Sequence, residues 1–348
     1  MANTIRLIGV GGAGVTIGNE VGGMLSDLGE GFSNVVRHYV DTSTNNITDD
    51  MRDEGLFHLI ESKNLTKAKI MGSGSERRTH AGDINESVKD YLDKNKILNN
   101  KTDMFNVVVF SGSGGTGSVG GPLIVKNLLE ANIPVVVVMV GDSTNGLSGL
   151  NTISTIATLH KFTMAHKKAL PIMYVNNEAY MSNGVSNAIA DANKSIFNSL
   201  SALSLFLSGD NESIDSQDMI NIIDQTNYKT INVKPGLYAL STFSKNVVLP
   251  EGCIPTVTRT LTTRGVSPDL NIVPAHSKSG TILADNAANI YREHAPIHMV
   301  AYANFFKIEE QRLRAFTDKI QAAMAAIETE DIGSHSQSEV DDDTGLIF

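Results

Sequence analysis

Short apolar, β-branched runs alternate with longer stretches whose apolar residues recur every three to four positions through the first half of the chain. Runs over 4–9, 35–41, 105–111, 133–141 and 170–176 predict strands, and the alternation predicts a parallel sheet with helices on both faces. The stretch 185–208 carries Ile189, Ile196, Leu200, Leu203 and Leu207 and reads as one long, largely apolar helix buried between two layers. A turn at Gly209-Asp210-Asn211-Glu212 and the acidic Ser213–Asp218 follow, then a mixed α+β unit with apolar runs at 236–243 and 297–305. A final helix is expected over about 308–327, with Leu313, Phe316, Ile320, Met324 and Ile327 on one face and Arg312, Arg314 and Lys319 on the other.

Composition narrows the class. The chain has 348 residues, is 41% hydrophobic and 19% charged, which suits a globular protein of two domains or one large one. The longest apolar run, Ile133 to Val140, is far short of a membrane span, and no signal peptide is visible ahead of Thr4-Ile5-Arg6-Leu7-Ile8. Cys253 is the only cysteine, which excludes a disulfide framework and a CxxC zinc site and favours a reducing, cytoplasmic location. His294 and His298 are separated by Pro296, so they cannot present two metal ligands on one helical face. HExxH and GxSxG are absent.

Charge is unevenly spread. The formal net charge of −10 argues against general nucleic-acid binding, which needs clustered Lys and Arg. Seven acids and no Lys or Arg fall between Ile320 and Phe348, so residues 1–319 carry 28 basic and 31 acidic side chains, a net of −3. A nearly neutral body thus carries an acidic arm, and the arm ends on apolar Leu346-Ile347-Phe348.

Glycine is clustered as well. Gly9-x-Gly11-x-x-Gly14 follows the first strand and fits a dinucleotide loop, in which glycines let backbone N–H groups approach a pyrophosphate. Asp41 at the end of the next strand suits a ribose hydroxyl, so an NAD(P)-dependent oxidoreductase is one reading. Ser111–Ser118 is a second glycine-rich strand-to-helix loop, and two such loops imply several phosphates held by backbone amides and small hydroxyls. No GxxxxGK[ST] occurs, so this is not a P-loop NTPase.

Ser113-Gly114-Gly115-Thr116-Gly117-Ser118 resembles the phosphate loop of the tubulin/FtsZ superfamily, with Val119 where that pattern has glycine. Gly11-Gly12-Ala13-Gly14 is similar to the family's first nucleotide loop, Asp41-Thr42 to the second and Gly72-Ser73-Gly74 to the third. Asn193, and Asn177 or its neighbour Asn176, resemble the guanine-recognising side chains, while Asp142 and Asn145 loosely resemble a ribose-contacting loop. The resemblance implies a tubulin/FtsZ-like α/β fold with a Rossmann-type GTP-binding domain (1–184), a central helix (185–208), an α+β domain (209–305), a C-terminal helix (306–328) and an acidic tail (329–348).

The implied activity is GTP hydrolysis with Mg2+ held through the phosphates. Asp215 and Asp218 of one subunit would polarise a water beside the γ-phosphate bound to the next, in a head-to-tail homopolymer. Ser213 stands where the family's loop has Asn, so a GTP-binding filament without turnover is a further reading. As local structure alone, Asp215 and Asp218 read as an N-cap and a first-turn acid.

The short acidic tail resembles that of phage-encoded tubulins, which implies a filament that positions phage DNA or the replication compartment in the host cytoplasm. By that resemblance Asp341, Asp342 and Asp343 would pair with Arg312 and Arg314 of the adjacent subunit while Leu346, Ile347 and Phe348 fill a pocket. Neither direct nucleic-acid binding nor membrane insertion is expected.

Overall fold

Alternate residues of a strand point to opposite faces, so a run that is apolar throughout must be covered on both. Strand β5 (Val135–Gly141) meets that condition, and β1 (Thr4–Val10) and β4 (Phe105–Ser111) come close, their buried Arg6 and Asn106 being hydrogen-bonded to each other. Ile5, Leu7, Val107, Val109, Val136 and Val138 enter one core. Ile8, Val10, Val108, Phe110, Val137 and Met139 enter the other. The computed structural model describes residues 4–54, 56–60, 77–78, 80–99, 104–183, 185–325 and 344–346. The third glycine patch, Gly72-Ser73-Gly74, lies outside them, as do Asp341–Asp343, Ile347 and Phe348.

The remaining strands are β2 (Asn34–Asp41), β3 (Phe57–Leu59), β6 (Ala169–Asn176), β7 (Gly236–Ser244), β8 (Ile254–Thr262), β9 (His276–Thr281) and β10 (Ile297–Ala303). The described strands form one ten-stranded sheet in the order β3-β2-β1-β4-β5-β6-β7-β10-β8-β9. Pairing is parallel from β3 to β7. It turns antiparallel on both sides of β10 and is parallel again at β8–β9. The α/β fold with a mostly parallel sheet is therefore borne out. Strand β5 begins at Val135 rather than 133, after Pro134, which has no N–H to give a ladder.

Helices α1 (Gly11–Ser26), α2 (Asp49–Asp53), α3 (Ala81–Lys94), α4 (Thr116–Glu130) and α5 (Gly146–His166) connect the parallel strands. The long helix α6 (Val185–Ser208) covers one face, with Ala188, Ala192, Ile196, Leu200, Leu203 and Leu207 buried in a stripe at three- to four-residue spacing. Ile189 shares the direction of that stripe, two turns before Ile196, yet is 54% exposed, contrary to its grouping with the buried residues. Helices α7 (Ser216–Ile223) and α8 (Asp285–Tyr291) belong to the second half of the chain. The last helix, α9 (Phe305–Ala325), starts three residues before the expected 308 and buries Phe306 and Leu313. It lies against α5, where a Cβ on Gly149 would meet Thr317 at 2.9 Å.

In the sheet β1 lies between β2 and β4, so the chain leaves β1 toward one side and returns on the other. A parallel sheet opens a crevice at such a switch point, outside the carboxyl ends of the strands. Both glycine-rich loops occupy that position.

Candidate nucleotide site

Helix α1 starts on Gly11 directly after β1, and α4 starts on Thr116 after the loop that leaves β4. Neither helix has a side-chain N-cap hydrogen bond. The first N–H groups of a helix have no partner within it, and together with the dipole they favour an anion. Here two such ends converge. Gly11 has φ +71°, a left-handed backbone, and a Cβ there would lie 2.6 Å from the Gly117 nitrogen, so the two loops touch.

The cavity they enclose is about 350 Å³. Gly11, Gly12, Ala13, Asp41, Thr42, Gly114, Gly115, Thr116 and Gly117 line it among the residues marked in the sequence. Ser111, at the head of the second loop, lines it too, as do Ser43 and Asn46, which no motif singled out although the run Thr42–Asn46 is polar throughout. Gly14, Ser113 and Ser118 do not line it. Gly14 packs against the Val109 carbonyl, Ser113 bonds Ser111 Oγ at 2.8 Å, and the fully buried Ser118 hydroxyl donates to the Gly114 and Gly115 carbonyls.

Two α5 side chains one turn apart hold the second loop by its carbonyls. Asn151 Nδ2 donates to Ser113 O at 3.0 Å and Thr155 Oγ1 to Gly112 O at 2.9 Å. Their i, i+4 spacing was the available sequence signal, but nothing local tied it to the loop.

Asp41 is 3% exposed. Burial pushes its carboxyl up to about 6, against the opposing pull of hydrogen bonds from the backbone of Thr42 and Ser43 and from the hydroxyls of Thr116 and Thr42. The Thr42 and Thr116 hydroxyls lie 2.6 Å apart. Carboxylate and hydroxyls form an oxygen-only set at the cavity wall.

Beyond the cavity, the Asp142 carboxylate turns back on its own loop, accepting from Thr144 N and Oγ1, each at 3.0 Å. Asn145 caps α5 by accepting from Ser148 N at 2.9 Å. Asn176 Oδ1 accepts from Glu178 N at 3.0 Å. Asn177 is half-buried. Asn193 on α6 is buried and donates from Nδ2 to Glu20 Oε2 at 2.7 Å.

Asp215 and Asp218 do not line this cavity. The exposed Asp215 caps α7 and the buried Asp218 reciprocates from the third position. Burial works to raise the Asp218 carboxyl pKa, but the bonds from Lys278 and the Asp215 N–H and the charge of Arg259 outweigh it and hold it below the ordinary range. Helix α7 leads to Asp224, whose carboxylate receives the Ala169 N–H and Lys168 Nζ where β6 begins. This is the end of the parallel strands opposite the carboxyl ends of β1 and β4.

Arg312 pairs with Glu309 and Glu178 of its own chain, at 2.8 and 2.7 Å, and Arg314 with Glu310 at 2.7 Å. Leu346 is fully buried against its own subunit. Lys126 Nζ donates to Thr344 O at 3.1 Å, and a Cβ on Gly345 would meet the Phe162 ring at 3.3 Å. Among the described residues no group of His, Cys, Asp and Glu forms a metal cluster, and no helix is long and apolar enough to cross a membrane.

This arrangement is the fold of the tubulin/FtsZ superfamily. A protofilament of TubZ from bacteriophage PhiKZ superposes with TM-score 0.74 at 21% identity, covering 100% of both chains. The phage tubulin PhuZ with GDP gives TM-score 0.76 at 18% identity, also covering 100% of both. In sequence the chain is similar to phage tubulin-like proteins, among them one from Pseudomonas phage PhiPA3 that is 31% identical over 204 residues, 58% of each chain. The chain matches less than two thirds of the length of such relatives. No family model matches it. The fold implied by the resemblance of the glycine loops is borne out.

Proposed function

We propose that the chain binds GTP in the cavity between α1 and α4 and assembles head to tail with copies of itself, hydrolysing the nucleotide at each junction. The observation that carries this is the convergence of two uncapped helix N-termini on one cavity, which suits a polyphosphate. A related phage tubulin with GDP and a related TubZ protofilament support the nucleotide and the polymer. Asn177 and Asn193 are the base-reading side chains in this account, and residues 1–184 form the nucleotide domain.

Asp215 and Asp218 sit at the start of the helix that leads to the opposite end of the parallel strands, so in this reading they act on the phosphate of the next subunit. There they orient the attacking water, Asp215 through its exposed carboxylate and Asp218 by holding Asp215 in place. The oxygen-only set of Asp41, Thr42 and Thr116 fits a hard cation held through phosphate oxygens and water, and Mg2+ bound so would neutralise phosphate charge. A nicotinamide enzyme would need only the first loop, and the contact between both loops weighs against it.

The tail is proposed to contact the adjacent subunit. Docking of Asp341–Asp343 on Arg312 and Arg314 would have to exchange the carboxylates already paired there. By analogy with the phage relatives, the filament would position phage DNA or the replication compartment in the host cytoplasm.

Light scattering and electron microscopy with GTP, GDP and a slowly hydrolysed GTP analogue, read together with phosphate release, test this reading. Polymer with GTP and the analogue, and release only on assembly, is expected. No polymer under any condition overturns it, while polymer without release leaves a filament that lacks turnover.

A further inference from the structure

We infer that Glu20 sets the base preference of this site by fixing which way round the Asn193 amide stands. The inference rests on the guanine-nucleotide reading above and adds a positioning residue to it. Gly12, Thr16 and Glu20 follow one another at four-residue spacing on the side of α1 turned away from the sheet. Gly12 lines the phosphate cavity, and Glu20 stands about 12 Å further along the helix axis.

There α1 meets α6, and the buried Asn193 donates from Nδ2 to Glu20 Oε2 at 2.7 Å. A carboxylate only accepts, so the NH2 end of the amide must face Glu20 and Oδ1 must face away. Among the described residues Oδ1 has no partner. One turn earlier Ile189 is 54% exposed, an apolar surface beside a polar edge, which suits the flat face of a base.

A carbonyl oxygen held in this direction accepts from the N1–H and N2–H2 of guanine. It opposes the C2 carbonyl of xanthine and gains less from hypoxanthine, which lacks the amine. Removing the carboxylate frees the amide to turn and offer its NH2 instead. Glutamine at position 20 keeps the size and a hydrogen bond to Asn193, but permits both orientations, so it separates positioning from simple support.

The test is competition binding of GTP, ITP and XTP to the full chain, as wild type, Glu20→Gln and Glu20→Ala. Wild type is expected to favour GTP, and both variants to narrow the GTP-to-XTP preference by roughly tenfold, the scale of a hydrogen-bonded base contact. An unchanged ratio, or equal weakening of all three nucleotides, overturns the role of Glu20. Failure of wild type to bind any of the three instead overturns the nucleotide reading on which it rests.

Discussion

Asp215 Oδ1 accepts the Asp218 N–H at 2.9 Å while Asp218 Oδ2 accepts the Asp215 N–H at 3.1 Å, so each carboxylate is tied to the other's backbone. The capping and catalytic readings of this pair are compatible, because a cap occupies one carboxylate oxygen and leaves the other for a water. Asp218 differs from its partner in being buried and in holding Lys278 and the fully buried Arg259.

The two aspartates should therefore respond differently to substitution. Asp215→Ala is expected to abolish assembly-linked phosphate release while lowering stability by about 1 kcal/mol, the worth of an N-cap. Asp218→Ala strips a carboxylate from two cations and should lower stability by about 3 kcal/mol. Urea melts beside phosphate-release assays check both, and undiminished release from Asp215→Ala would remove its catalytic role.

Gly11→Ala places a Cβ against the Gly117 nitrogen at a left-handed φ. The expected result is loss of nucleotide binding with destabilisation of about 1–3 kcal/mol from backbone strain. Nucleotide titration and thermal melts measure the two effects.

Asp41 supplies a pH dependence. Its folded pKa is about 6 against an ordinary 3.8, so the folded state holds the proton more tightly than the unfolded one. That contribution is fully present below 3.8 and is lost as pH rises through about 6. Asp41→Asn keeps an acceptor for the Thr42 N–H and carries no charge. It should stabilise the nucleotide-free protein at pH 7.5 by up to about 3 kcal/mol and flatten the change between pH 4 and 6. Stability measured across that window in both proteins decides it.

Deleting residues 338–348 should raise the critical concentration for assembly and, because it removes Leu346 from its own subunit's core, also lower the subunit's stability somewhat. If charge pairing contributes, the intact protein should also assemble less readily as salt rises. Sedimentation of both proteins over a salt series checks this, and an unchanged critical concentration would leave the tail no part in assembly.

Seven of the ten described strands and the two glycine-rich loops were legible because their causes are local, whereas β3, β8 and β9 are short or rich in polar residues and gave no apolar run. Apolar runs at strand length, glycines at strand ends and a 24-residue helix are patterns of neighbouring residues. The exposure of Ile189 was not legible, since its seven-residue spacing from Ile196 matches the buried stripe and only the packing around that turn leaves it uncovered. The grip of Asn151 and Thr155 on the second loop was hidden for a similar reason, because it depends on where α5 crosses that loop.

The chain by itself determined the α/β class, the two glycine-rich turns and the capping pair, each of which follows from backbone freedom, periodicity or short-range hydrogen bonding. Only the tertiary structure decided that Gly11 meets Gly117, that Asn193 meets Glu20 and that Asp218 meets Lys278. These contacts join segments 60 or more residues apart, and their partners are chosen by sheet order and helix packing, which no local pattern encodes.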